Sequence, residues 1–343
     1  DGTRIASFSA DRTVRVWDLT ANAEGEINAF ELPGSPTLQS GNFVGDRAAM
    51  LIYPDWVSAF VEPGTAFIFN TTSGDIEYAF EGYGGQVIRL SPDGALIAGQ
   101  PFKAPGLLGP VHIRDVESGE VLVELEDLCT YDNENHAPGP DCAEQPDALG
   151  DSLTATNFSP DGSMLAIAGY DTGMAGVWDV ESGKRLTWLK IGGPGNELVL
   201  WFSPNSDLLL ADANRLAIYE PDGWTEIGSF PIDYGWFDLI YTPDESHLHG
   251  LDAVAGIVTV DTATWERVGD PLLGHEGVVA DIAQNSDGTR IASAGFDGFV
   301  RIWDAQAGEL DQAIPLGDRV SFVHFVDDRH LLIIAAGRPA LVM

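Results

Sequence analysis

The chain repeats itself at two distant places. Asp287-Gly288-Thr289-Arg290-Ile291-Ala292-Ser293, followed by Arg301-Ile302-Trp303-Asp304, nearly copies Asp1-Gly2-Thr3-Arg4-Ile5-Ala6-Ser7, followed by Arg15-Val16-Trp17-Asp18. A recurring unit of this size cannot bury its apolar face alone, so it must stack against its neighbours. Aligned on the Asp-Gly turn, equivalent positions fall at Asp1, Asp46, Asp93, Asp161, Asn205, Asp244, Asp287 and Asp327. Most steps are roughly 40 to 47 residues, the length of a four-stranded antiparallel blade.

In the most regular unit, Val278 to Ala283 reads as a first strand and Arg290 to Ala294 as a second, with the Ser286-Asp287-Gly288 turn between them. Phe299 to Asp304 is the third strand, and a fourth follows Ala307-Gly308, where glycine takes the positive φ of a tight hairpin without a Cβ clash. Gly74, Gly119 and Gly183 stand at the corresponding position. Short strands with turn residues at fixed offsets predict an all-β array.

The Trp-Asp pairs Trp17-Asp18, Trp178-Asp179 and Trp303-Asp304 end third strands, and in this the chain resembles the WD40 family over essentially its whole length. The resemblance implies a WD40-type β-propeller of seven four-stranded blades in one domain, 1–343, with eight blades as the alternative. Phe69-Asn70, Arg114-Asp115, Tyr219-Glu220 and Val260-Asp261 are degenerate forms of the pair, which places more weight on apolar packing in those units. The strand count predicts that Arg4 to about Leu32 takes its missing inner strand from Arg319 to Phe325. Residues 327–343 then begin an additional repeat, and the chain reads as a segment of a longer repeat protein.

His275, Ser293, Asp297 and Trp303 mimic the residue types of a nucleophilic triad. In the family the equivalent four form a buried chain of hydrogen bonds from indole to hydroxyl to imidazole to carboxylate, so the resemblance implies a structural set. Ser7, Asp11 and Trp17 are its counterparts in the first unit, and Trp178 keeps the indole in the fourth.

A formal charge of −36, with 17 Lys and Arg against 53 Asp and Glu, repels a phosphate backbone and argues against nucleic acid or an anionic membrane as partner. The longest apolar runs are strand length, far short of the roughly 18 to 20 residues that span a bilayer. Two cysteines, Cys129 and Cys142, share one irregular segment with His136, at a spacing that matches no common zinc pattern. No phosphate loop or calcium loop is present: Ser182-Gly183-Lys184-Arg185 fits a hairpin turn, and the carboxylates recur at turns. No cofactor is implied.

Loops entering the first strand and loops joining the second to the third strand share one face, the one the resembled family most often uses for partners. Three enlargements fall there: Tyr53-Pro54-Asp55-Trp56 onward to Pro63-Gly64, Gln100 to Leu108, and the insertion Asp127 to Ser152, which reads as loop-like. Trp56, Phe102, Tyr83, and Asp233, Tyr234 and Trp236 of a further loop are therefore the candidate partner-binding residues. The expected function is a non-catalytic scaffold or sensor that binds a protein or peptide. The sequence style resembles the arrays of large bacterial, actinobacterial-type signalling proteins, which implies a cytoplasmic module linked to an effector domain. The rival expectation is an enzyme or small-ligand receptor with its site in the central channel.

Overall fold

The computed structural model describes residues 4–8, 13–18, 26–31, 37–44, 46–53, 63–70, 73, 75–104, 107–125, 131–132, 137–138, 153–169, 173–191, 198–212, 215–231, 239–252, 256–325, 331–335 and 341–342. Among the described residues every regular element is a strand, and every strand pair is antiparallel. No helix there is long and apolar enough to cross a membrane. The architecture is a succession of antiparallel meander sheets of three or four strands, one of them a larger fused sheet, as a β-propeller arrangement requires.

The seventh unit is the most complete, ordering Val279–Gln284, Arg290–Gly295, Phe299–Asp304 and Glu309–Pro315 side by side. The fourth, Leu153–Phe158, Met164–Gly169, Met174–Asp179 and Arg185–Lys190, and the fifth, Val199–Phe202, Leu208–Ala211, Arg215–Tyr219 and Glu226–Pro231, have the same order. The first contributes Arg4–Phe8, Thr13–Asp18 and Glu26–Glu31. In the sixth, Leu239–Tyr241, His247–Asp252 and Gly256–Asp261 are regular, while the fourth-strand segment bridges only at Val260↔Arg267 and Ile257↔Leu272.

The second and third units are fused. Thr37–Val44, Arg47–Tyr53 and Gly64–Asn70 lead into a strand of 15 residues, Ile76–Leu90, which serves first as the outer strand of the second unit. It then becomes the inner strand of the third, pairing with Leu96–Ala104, which pairs in turn with His112–Asp115. Val121–Glu124 closes that unit.

Turn chemistry explains where the acidic residues sit. Ser91, Ser159, Thr242 and Asn285 each donate a side-chain hydrogen bond to the aspartate two residues on, at 2.6, 2.6, 2.7 and 2.8 Å. Those aspartates accept further backbone bonds and fix the turn between first and second strands. The hairpin to the fourth strand is capped the same way by Asp115, Asp179, Asp261 and Asp304. Gly119, Gly183 and Gly308 take φ of 73°, 70° and 69° in that hairpin, whereas the fifth and sixth units force Trp224 and Trp265 to 53° and 56°. A side chain in that region costs on the order of 1 kcal/mol, offset here by packing of the indoles on the fourth-to-sixth-unit core.

The core lies between units rather than within them. Ala98, Ile113 and Leu125 of the third pack on Phe158, Ile167 and Trp178 of the fourth, and Leu251 and Ile257 of the sixth on Ile282 and Trp303 of the seventh. Inner strands are also stitched by polar side chains. Asn42 brackets the Leu90 backbone at 2.8 and 3.2 Å, Arg89 reaches Thr156 O at 2.9 Å, and Asn157 reaches Leu200 O at 3.3 Å.

One expectation is overturned. The segment around Arg319 to Phe325 does not complete the first unit: Val320–Phe325 pairs with Leu331–Ala335, which pairs with Leu341–Val342. Val320–Phe325 is thus the first strand of a three-stranded meander. Its apolar face explains the choice, since Val320, Val323 and Phe325 bury against Ala292, Ala294 and Val300 of the preceding unit and against Leu331 and Ile333 of their own.

Candidate functional site

The triad-like residues form one chain of hydrogen bonds. Trp303 Nε1–H donates to Ser293 Oγ at 3.0 Å, and Ser293 lies 2.8 Å from His275 Nε2. With the serine donating to Nε2, the imidazole carries its proton on Nδ1, which meets Asp297 Oδ1 at 2.9 Å. The same carboxylate accepts the Glu276 backbone N–H at 3.0 Å and Arg301 Nη1 at 2.9 Å. Arg301 was not singled out from the sequence. Its spacing of four residues from Asp297 is the only local signal, and a strand puts no such pair on one helical face.

Electrostatics follows from burial. His275 is held below its ordinary pKa, first by desolvation and also by the adjacent Arg301, against the pull of Asp297. Burial alone would raise Asp297, but the Glu276 N–H, His275 and Arg301 outweigh it and bring the carboxyl down to about 2. Gly295 makes the pair possible, because a Cβ there would stand 2.1 Å from His275 Nδ1 and 2.5 Å from Asp297 Oδ1. Ser293 is wholly buried beneath the indole, so its oxygen has no approach for a substrate carbonyl. The arrangement ties the third strand to the second strand and to the segment that enters the first.

In the first unit the backbone register sets Ser7 opposite Arg15 and Ile5 opposite Trp17, as Ser293 faces Arg301 and Ile291 faces Trp303. Asp11 lies outside the described residues. Trp178 is buried in the fourth unit, but Ile167 stands at the serine position and Gly176 at that of Arg301.

On the loop-bearing face, Phe102 lies at the end of the strand Leu96–Ala104 and pairs with Leu108. Leu107–Leu108 pairs on its other side with Tyr131–Asp132, which pairs with Ala137–Pro138. The insertion expected to be loop-like therefore carries two short strands, and it is bound by main-chain pairing to the enlarged loop of the third unit.

Tyr83 is corrected. It was expected to be exposed among glycines, yet it is 3% exposed and packs with Ile88, Ile97 and Tyr53. The reason is that Ile76–Leu90 continues as one strand through Gly82-Tyr83-Gly84-Gly85, and the pleat turns the ring into the core. Gly99 leaves room for it, since a Cβ there would meet the ring at 2.6 Å. Trp56, Asp233, Tyr234 and Trp236 lie outside the described residues, as do Cys129, His136 and Cys142.

A patch missed in the sequence occupies this face of the seventh unit. Phe296 is 41% exposed, and its N–H donates to Val278 O at 2.9 Å. Val278, 49% exposed, lies beside it, and the Arg319 guanidinium lies 5.2 Å from its ring. The signal was available: Phe296 follows Ile291 by the same five positions that separate Phe102 from Ile97, so both aromatics hold one position along the second-strand line, Phe102 inside its strand and Phe296 just past its own. No group of three or more metal-ligating side chains occurs among the described residues.

Known proteins share this pattern in part. The family described as WD domain, G-beta repeat matches residues 1–18 and 267–304, the two stretches that carry the terminal copies. Over 240 residues, 65% of the chain, there is 22% identity to eukaryotic translation initiation factor 3 subunit I of Pyricularia oryzae, covering 66% of that protein. WD repeat-containing protein 1 of Xenopus tropicalis is 28% identical over 167 residues, 46% of the chain and 27% of that protein. The Poly(A)+ RNA export protein of Schizosaccharomyces pombe is 32% identical over 92 residues, 26% of each chain. The chain thus spans between 26% and 66% of the length of these relatives.

Proposed function

We propose that the chain is a non-catalytic interaction scaffold that binds a protein or peptide on the face carrying Phe102 and Phe296. The observation that carries this reading is the pair of aromatics at equivalent positions along the second-strand line. One lies beside exposed Val278, the other sits in a sheet extension built from the enlarged loop and the insertion. Partly exposed aromatics on a rigid frame supply large contact area at low entropic cost. Buried polar groups that resemble catalytic residues are consumed by internal hydrogen bonds, which favours a binding role over a channel-mouth enzyme. The WD-repeat relatives support the scaffold class.

Within that class, a cytoplasmic bacterial signalling protein with a linked effector domain is the finer proposal. It rests on sequence style, and the relatives above, all eukaryotic, do not supply it. A photo-crosslinker placed at Phe296 or Phe102 tests the binding face against one at Leu310, an exposed residue of an outer strand. Capture of a defined partner from the face positions and not from 310 is expected; equal capture at all three overturns the assignment. Deleting Thr130 to Ala148 is expected to leave the fold intact and weaken that capture, while unfolding would make the insertion part of the core.

A further inference from the structure

Strand register aligns the units with one another, so each position has an internal reference set. The second-strand residue next to the Trp303-type pairing, with its third-strand partner, reads Ala6↔Val16, Ala49↔Ile68, Ala98↔Ile113, Ala166↔Val177, Leu209↔Ile218 and Ala292↔Ile302. In the sixth unit the same pair is His249↔Thr259. The inner-strand residue paired with the Ile291-type position shows a parallel exception. Phe43, Leu90, Phe158, Phe202, Tyr241 and Phe325 are apolar or aromatic, and the seventh unit has Gln284.

These exceptions meet. Gln284 Nε2–H donates to His249 Nε2 at 3.2 Å and to Gly288 O at 3.2 Å, which leaves Nδ1–H of His249 to donate to Thr259 Oγ1 at 2.9 Å. His249 is 3% exposed, and desolvation lowers its pKa to about 4, so the floor is neutral. A buried His249 and half-buried Thr259 and Gln284, where the fold elsewhere uses alanine, isoleucine and phenylalanine, oppose stability. Such local violations of a fold's own rule mark functional positions.

All three line a cleft of about 630 Å³ between the sixth and seventh units, on the side opposite the loop-rich face. The cleft opens because the outer segment of the sixth unit arches through Gly269-Asp270-Pro271, with φ of 70° at Gly269, between its two bridges. Its remaining capacity is mainly for accepting hydrogen bonds. Gln284 Oε1 is buried without a partner, and the carboxylates of Asp244, Asp270 and Asp287 stand around it with no Lys or Arg in the lining. Pro243, Val268 and Leu272 add apolar wall.

We propose that this cleft binds an ammonium or guanidinium group on a short alkyl stem, with His249, Thr259 and Gln284 as its floor and the three carboxylates as its counter-charge. The stem packs on the apolar wall, and the charged head donates N–H groups to Gln284 Oε1 and the carboxylates. A free alkylamine and a lysine or arginine side chain share this chemistry. The site is independent of the interaction face described above.

The test titrates the full chain with agmatine, with an acetylated arginine amide and with the neutral citrulline analogue, reading calorimetry and the His249 imidazole resonance. Saturable binding of the cations is expected, with citrulline at least about tenfold weaker. Tighter binding of agmatine assigns a free amine, and tighter binding of the arginine amide assigns a peptide side chain. Reverting the trio to the residues of the other units, His249→Ala, Thr259→Ile and Gln284→Leu together, is expected to weaken binding by at least about tenfold and leave melting unchanged or higher. Asp270→Asn, on the exposed arch, is expected to weaken binding severalfold without refolding the floor. Absence of saturation, equal affinity for citrulline, undiminished binding by both variants, or lower melting of the triple variant with unaltered binding overturns the proposal.

Discussion

The fourth and seventh units hold the same strand by different means. Both bury a tryptophan near the end of the third strand, Trp178 and Trp303. In the seventh, Ser293 and Arg301 face each other across the strands and join a chain of hydrogen bonds to His275 and Asp297. In the fourth, Ile167 and Gly176 take those two places, and the glycine lets Trp188 come in edge-on to Trp178, with ring centroids 5.4 Å apart. A Cβ on Gly176 would stand 2.4 Å from one indole and 2.8 Å from the other. One repeat can thus be closed by a directional polar clasp or by an aromatic pair, provided both members of the exchange change together.

The largest effect should come from the aromatic solution. Trp178→Ala is expected to destabilise the protein by about 3–5 kcal/mol in urea unfolding, and a loss near zero would show that the pair does not hold the fourth unit. Next comes the clasp: Ser293→Ala leaves the Trp303 indole N–H and His275 Nε2 buried without a partner and should cost about 1–3 kcal/mol. Its counterpart in the fourth unit, Ile167→Val, should cost about 0.5–1.5 kcal/mol. If Ser293→Ala is the milder of the two, the contrast fails.

Acid should separate the units more gently. The unfolded chain protonates His275 near pH 6.5 while the folded clasp resists it, so stability from this group is lost as pH falls below about 6.5. Asp297, held at about 2, contributes above about 3.8 and loses that contribution as pH falls from there toward 2. Asp161 and Asp179 of the fourth unit are lowered by hydrogen bonds from Ser159 and Ser182 and act only in the second window. Amide protection at Ile302 and Trp303 should therefore fall between pH 6.5 and 4 while that at Val177 and Trp178 persists; parallel loss would erase the distinction. Smallest of all, Ser182→Ala, which gives the fourth unit the alanine that Ala307 already supplies in the seventh, should shift stability by less than about 0.5 kcal/mol.

The sequence made the strands legible because turn chemistry and hydrophobic alternation are local. The Asp287 turn, the glycine hairpins and the Trp-Asp strand ends all fell where short-range sterics and capping require them. What could not be read was pairing across distance. Nothing local distinguishes a Val320–Phe325 strand that joins Leu331–Ala335 from one that joins another unit, because both partners offer the same apolar alternation. Tyr83 misled for a related reason: glycines that usually mark a turn here let a strand pass through with a kink. Arg301 and the His249, Thr259 and Gln284 trio were visible only after register showed which residues face one another.

The 15-residue strand that belongs to two units has a mechanical meaning. Between Glu309–Pro315 and Val320–Phe325 a short loop separates the outer strand of one sheet from the inner strand of the next, and such a loop can act as a hinge. Between the second and third units the load path is continuous backbone, hydrogen-bonded on both sides of the junction. Those two units should therefore transmit force and yield as a single plate, which makes this sector the stiff quadrant of the molecule and leaves compliance to the looser joint between the sixth and seventh.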